Sequence, residues 1–186
     1  FKVEVSRDGK VHTMEFELGK TTRKLEVIGK TKSTGTLITF KPDPQIFTIT
    51  LEYKFDMLSK RLRELAFLNP GVEILLVDER EDDKSETFFY RDGIEQFVRQ
   101  MSSNKTLVHA KPIVVGAKRT IVEEGKRNEV FIDVVMQYND GYSDQILCYA
   151  NSIPNPDGGT HLTGFRTALT RTINQYAKSN NILKEK

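Results

Sequence analysis

Apolar residues alternate from Phe1 to Val5 and again from Val11 to Leu18, then recur every third or fourth position at Phe55, Leu58, Leu62 and Leu65. That change of period constrains the fold more than any other feature. A period of two buries one face of a strand, whereas a period near 3.6 buries one stripe of a helix. Arg7-Asp8-Gly9 lies between the two alternating runs and predicts a hairpin turn. Gly35–Phe40 predicts a third strand, closed by Lys41-Pro42-Asp43-Pro44, because proline cannot extend a central strand. A helix is expected over Lys54–Leu68, with Lys60, Arg61, Arg63 and Glu64 off its apolar stripe and Asn69-Pro70-Gly71 ending it. Val72–Val77 then reads as a strand, and the acidic run Asp78–Glu86 as a solvated hairpin tip before Thr87–Tyr90.

Asp92-Gly93-Ile94-Glu95 fits a capping box, with the Asp92 carboxylate accepting an amide and Glu95 reaching back. Ile94, Phe97, Val98 and Met101 give the stripe of a short helix. A domain boundary is expected near Arg91, where a new helix and a new sheet begin. That sheet is expected to contain Pro112–Val122, Val130–Tyr138 and Gln145–Asn151, with Asn139-Asp140-Gly141 turning the chain between the last two. The class is α+β, and 186 residues suffice for one ordinary domain or two small ones.

The net charge of +2 by itself argues neither for nor against a nucleic-acid partner, but its distribution is uneven. Asp78–Glu95 holds eight acids against three bases, and Gly159–Lys186 holds five bases against one acid. One end is basic. A lone cysteine, Cys148, excludes an intrachain disulfide and suits a reducing cytoplasm. No charged-then-apolar leader is expected from the pattern, and no apolar run approaches the ~20 residues of a membrane span. Because the chain opens on Phe1, as if partway through a strand, it reads as a piece of a longer protein.

The basic end centres on GGTHLTGFRTALTRTINQYAK, Gly158 to Lys178. Paired glycines permit a sharp reversal out of Pro154-Asn155-Pro156, and Thr160 or Thr163 is expected to cap the helix that follows. Leu162, Phe165, Leu169, Ile173 and Tyr176 form an apolar stripe expected to pack on a sheet. Thr167, Arg171, Asn174 and Lys178 occupy another face, with Arg166 on its flank. Charge alone favours a solvated amphipathic helix over a DNA contact. His161 reads as a hydrogen-bonded structural histidine, and His12 and His109 form no metal-ligand pattern. Asp78-Glu79 and Asp82-Asp83 read as charged turns, not as a metal site. No phosphate loop, dinucleotide fingerprint, zinc-protease motif or nucleophile elbow occurs. No residue is therefore assigned a catalytic or metal-binding role.

KSTGTLITFKPD, FDMLSKRLRELAFLNPGVEILLVDER and YNDGYSDQILCYANSIPNPDGGTHLTGFRTALTRTINQYAK together resemble the B subunits of DNA gyrase, the ATPase subunits of a bacterial type IIA topoisomerase. The likeness runs through the whole chain, and GGTHLTGFR followed by LTRTINQYAK is its most specific part. Topoisomerase IV subunits are similar but less so in that helix. The resemblance implies that residues 1–91 are the C-terminal part of a GHKL ATPase domain. Residues 92–186 would begin a transducer domain resembling the second domain of a small-ribosomal-subunit protein. It implies ATP and Mg²⁺ as cofactors, with DNA, the gyrase A chain and a second copy of the gyrase B chain as partners in a cytoplasmic heterotetramer. Thr36 in STGTL would lie beside the adenine and Arg7 at the mouth of that pocket. Arg166 in GFR, joined by Arg171 and Lys178, would face the cavity that accepts a DNA segment. The family's base, Mg²⁺-binding asparagine, lid and γ-phosphate lysine match nothing in residues 1–186, so this stretch alone is expected not to hydrolyse ATP. Other readings are a topoisomerase IV subunit or a stand-alone nucleic-acid-binding module.

Overall fold

Turn chemistry organises the first unit of the chain, Phe1–Lys54. The computed structural model describes residues 1–80, 84–123 and 125–182. Strands β1 (Lys2–Arg7) and β2 (Lys10–Glu17) pair antiparallel around Asp8 and Gly9, whose φ angles of 53° and 76° give a primed hairpin turn. Leu18 and Gly19 repeat that geometry at 48° and 77° and lead into β3 (Lys20–Lys30), which no alternating pattern predicted. Strand β4 (Gly35–Thr39) pairs with β1, giving the order β3-β2-β1-β4. Thr13 is buried on this sheet, where its hydroxyl donates to the Val3 carbonyl at 3.2 Å.

The second unit runs from Phe55 to Lys186. Helix α1 (Phe55–Leu68) packs against the antiparallel pair β5 (Glu73–Val77) and β6 (Ser85–Phe89). Its buried face is rotated from the expected stripe. Ser59, Ala66 and Phe67 are buried, while Leu58 is exposed. The rotation follows from a polar contact with β6. Ser59 Oγ donates to Glu86 Oε2 at 2.5 Å, and Arg63 pairs with the other Glu86 oxygen while lying over the Phe88 ring. The Ser59 hydroxyl first, then the Arg63 guanidinium, hold the Glu86 carboxyl below the usual range.

Helix α2 (Gly93–Met101) joins the same core, with Phe67 stacked between Tyr90 and Phe97 at ring-centroid distances of 3.6 and 4.7 Å. The expected capping box does not form. The Asp92 side chain makes no cap bond, and Glu95 is drawn into an i,i+4 pair with Arg99. Arg91 falls within this second unit.

Strands β7 (Ile113–Glu123) and β8 (Lys126–Met136) form a long two-stranded ribbon. The expected third strand, Gln145–Asn151, does not pair with it. Beyond Met136 the chain bonds to residues 106–108 instead: Val108 N donates to Tyr138 O at 3.0 Å, and Leu107 bridges Asn139. His109 reinforces that contact. Its Nε2 accepts from the Tyr138 amide at 3.0 Å, which leaves the proton on Nδ1 to donate to Lys111 O at 2.6 Å. Tyr149–Ala150 (β9) and Ile153–Pro154 (β10) form their own short hairpin.

The part of the acidic run that is described is a structured turn. The Asp78 side chain is buried and accepts from the Arg80 amide at 3.1 Å, Arg80 Nε at 2.8 Å and Arg80 Nη2 at 2.6 Å. Asp82 and Asp83 lie outside the described residues. Hydrogen bonds from the Arg80 side chain lower the Asp78 pKa from 3.8 to about 2. A carboxyl with a depressed folded pKa contributes stability that is complete above its unfolded value and lost as the pH falls through its folded one. The β5–β6 hairpin is therefore expected to weaken as the pH drops from about 4 through about 2. Thermal unfolding across that range should show a smaller acid sensitivity in Asp78→Asn. An unchanged pH profile would remove Asp78 from the account.

Candidate functional site

Two sets of residues carry candidate chemistry, one in each unit. In the first, Val5 of β1 lies opposite both Thr36 of β4 and His12 of β2. Residues directly opposite in an antiparallel pair project to one side, and Arg7, two positions after Val5, projects to that side too. Arg7, Thr36 and His12 thus share one face of the four-stranded sheet. The Arg7 side chain is exposed and lies 3.6 Å from the Asp8 carboxylate, and Thr36 is exposed as well. His12 is isolated in the sequence, yet the β1–β2 register sets it beside the other two.

The second set lies on helix α3 (Thr160–Ser179). Gly159 is its N-cap residue, and no side chain caps it. The threonines face the other way. Thr163 Oγ1 donates back to Gly159 O at 3.2 Å, and Thr167 Oγ1 to Thr163 O at 2.9 Å. His161 is exposed and shows no hydrogen bond among the described residues; its ring lies against Gly159. The helix ends in a Schellman motif: Asn181 is left-handed, Ile182 N donates to Ala177 O at 2.8 Å, and Asn181 N to Lys178 O at 3.1 Å.

The expected apolar stripe is only partly covered. Leu162, Phe165 and Leu169 are half-buried, whereas Ile173 and Tyr176 remain 50% and 64% exposed. The sheet expected beneath the stripe does not cover it, because α3 packs closely on none of the described strands. Arg166, Thr167, Thr170 and Arg171 line a shallow, open depression along α3. Arg166 has one loose ion pair, 3.6 Å to Asp144, and Arg171 has none among the described residues. Lys178 follows Arg171 two turns later on the same stripe. No acid occupies the first turn of α3. The patch therefore presents two guanidiniums beside hydroxyls to solvent, an arrangement suited to anionic oxygens. Lys184 and Lys186, which contribute to the basic end, lie outside the described residues. No described helix is long and apolar enough to cross a membrane.

The family model for DNA gyrase B matches residues 93–186. The B chain of DNA gyrase from Halalkalibacterium halodurans is 46% identical over 184 residues, covering 99% of this chain and 28% of that protein. The B chain of DNA topoisomerase 4 from Bacillus subtilis is 45% identical over 185 residues, covering 99% of this chain and 27% of that protein. The chain thus spans little more than a quarter of the length of these relatives. The crystal structure of the 43K ATPase domain of Thermus thermophilus gyrase B in complex with an aminocoumarin superposes with a TM-score of 0.80 at 38% identity. It covers all of this chain and 48% of its own. The mixed α/β architecture is accordingly that of a GHKL-type gyrase B ATPase region, and the chain belongs to the DNA gyrase B family.

Proposed function

We propose that the chain is the segment of a gyrase ATPase subunit that passes ATP-driven clamp closure to a transported DNA segment, changing DNA topology. The observation that carries this reading is the α3 patch of Arg166 and Arg171, within the stretch that the DNA gyrase B family matches. A transported duplex must be held without sequence preference, and attraction between guanidinium and phosphate provides such a hold. Lys178 extends the same stripe. We divide the chain at Arg91, with residues 1–91 as the end of the nucleotide domain and 92–186 as the start of a transducer. The family match beginning at Gly93 supports that division.

Nucleotide contact is assigned to Thr36 and Arg7. A short hydroxyl side chain and an exposed guanidinium on one sheet face fit the sugar and base side of ATP, where hydrogen bonding and cation stacking suffice. When bound, ATP would supply the free energy of clamp closure. Mg²⁺ is assigned to none of the described residues. The partners of this reading are DNA, the gyrase A chain and a second copy of the gyrase B chain, in the cytoplasm. The near-equal similarity of a topoisomerase 4 relative favours one alternative, the same role in that enzyme.

In the full-length protein, reconstituted with its gyrase A partner, Arg166→Gln is expected to lower DNA-stimulated ATP turnover about tenfold, the scale of one charged contact. Nucleotide affinity should stay unchanged, and the salt dependence of DNA binding should fall by about one phosphate contact. Unaltered stimulation would show that α3 does not meet the duplex.

A further inference from the structure

Ser152 adopts a conformation that serine disfavours. With Asn151 it forms the two-residue turn between β9 and β10, at φ 64° and 49°. Asparagine tolerates the left-handed region, but serine gains little local compensation there, so such a residue persists where its surroundings hold it. Two side chains of α1 do so. Arg61 Nη2 donates to the Ser152 carbonyl at 2.9 Å. Asn69 Nδ2 lies 3.4 Å from Ser152 Oγ and donates to the Leu65 carbonyl at 2.8 Å, which fixes its rotamer. Arg61, Leu65 and Asn69 follow at i, i+4 and i+8 and therefore form one stripe of the helix. Glu64 steadies Arg61 through its Nη1 at 3.2 Å.

The clasped turn continues directly into α3. Asn155 N donates to Cys148 O at 2.8 Å and Gly158 N to Asn155 O at 2.9 Å, tying the intervening loop to the hairpin. The next residue, Gly159, begins the helix. Hairpin, loop and helix start thus form one hydrogen-bonded piece. Among the described residues, its hydrogen bonds to α1 come from Arg61 and Asn69. In sequence, α1 precedes the division at Arg91 and the hairpin follows it.

We propose that Arg61 and Asn69 are positioning residues, which clasp the Asn151–Ser152 turn so that movement of α1 is transmitted to the start of α3 and its arginines. The transmission to DNA rests on the function proposed above; the clasp itself does not. Both are tested in the full-length protein with its gyrase A partner, using Arg61→Ala, Arg61→Lys and Ser152→Gly.

Arg61→Ala is expected to speed amide exchange at Asn155, Gly158 and Thr163 about tenfold, the scale of a hydrogen bond from a charged donor, while β7–β8 amides stay unchanged. Arg61→Lys, which can still reach a carbonyl, should restore much of the protection. Ser152→Gly, which keeps the carbonyl and relieves the backbone, should fold normally and lose only the Asn69 contact. In the same Arg61→Ala protein, DNA stimulation of ATP turnover should fall at least about fivefold. Its basal rate should hold within about twofold. Unchanged exchange would overturn the clasp. Faster exchange with basal and stimulated rates falling together would reduce it to a structural contact. A wild-type protein that DNA does not stimulate would overturn the proposed function instead, and the exchange pattern would then decide the clasp alone.

Discussion

Phe67→Ala is expected to destabilise the unit Phe55–Lys186 by about 3–5 kcal/mol. Phe67 is fully buried, and its ring is nearly parallel to those of Tyr90 and Phe97, with interplanar angles of 15° and 6°. It is the point where α1, the end of β6 and α2 meet. Deleting it removes the transfer free energy of the ring and leaves a cavity walled by two stacked aromatics that cannot collapse toward each other without moving their own elements. Only Ala66, Phe67, Phe88 and Ala177 are buried apolar residues among those described, so little else compensates. A domain's whole stability is about 5–15 kcal/mol, and this one substitution would remove a large share of it. Urea denaturation should show the loss as a lower midpoint. Phe97→Leu, which keeps most of the volume, should cost less than about 1.5 kcal/mol. If Phe67→Ala shifted the midpoint no more than Phe97→Leu, the aromatic stack would not be the organising core.

The elements legible in the sequence are those written in local pattern. Asp8-Gly9, the Phe55–Leu68 period and the Gly158-Gly159 break each mark a structural boundary to within about a residue of where it falls. Strand β3 escaped because KTTRKLEVIGK alternates only in its second half, and because the turn before it places Leu18, not asparagine or glycine, in a left-handed conformation. The predicted strand Gln145–Asn151 failed for a different reason. Its apolar residues matched, but Tyr149–Ala150 pairs with Ile153–Pro154 in a hairpin of its own, and no local signal ranks that near partner against β8.

Polar packing was least legible. The face that α1 buries contains Ser59 and borders Arg63, because Glu86 on β6 satisfies both, and hydrophobic periodicity carries no trace of a half-buried carboxylate contact. Arg61 likewise reads only as a residue off the apolar stripe and Asn69 as part of a helix stop, since their partner Ser152 lies 91 and 83 positions away. The candidate residues divide along the same line. The α3 patch follows from helical spacing alone. The shared face of Arg7 and Thr36 needs the β1–β4 register, a pairing between segments that two other strands separate.

Gly159→Ala is expected to cost about 1–3 kcal/mol and to unwind the first turn of α3. Gly159 sits at φ 149° and ψ −171°, a region open to glycine and closed to residues with a β-carbon. A Cβ there would also approach His161 Cε1 and Nδ1 to 3.2 Å, so the ring would have to swing aside. At neighbouring Gly158, with φ 72°, a Cβ would meet Leu162 Cδ2 at 2.7 Å, which pushes on the apolar stripe. Because no side chain caps α3, backbone geometry alone fixes where the helix starts and so which way Arg166 and Arg171 point. Gly164→Ala is the matched control. It lies inside the same helix with nothing within 4 Å of a Cβ, and should stabilise by about 0.5–1 kcal/mol. Amide exchange at Thr163, whose N–H bonds to the Gly159 carbonyl at 3.1 Å, should quicken in the first variant and slow in the second. Were both variants to slow it, helix propensity would outweigh the glycine geometry, and the paired glycines would be a loop rather than the device that aims the basic helix.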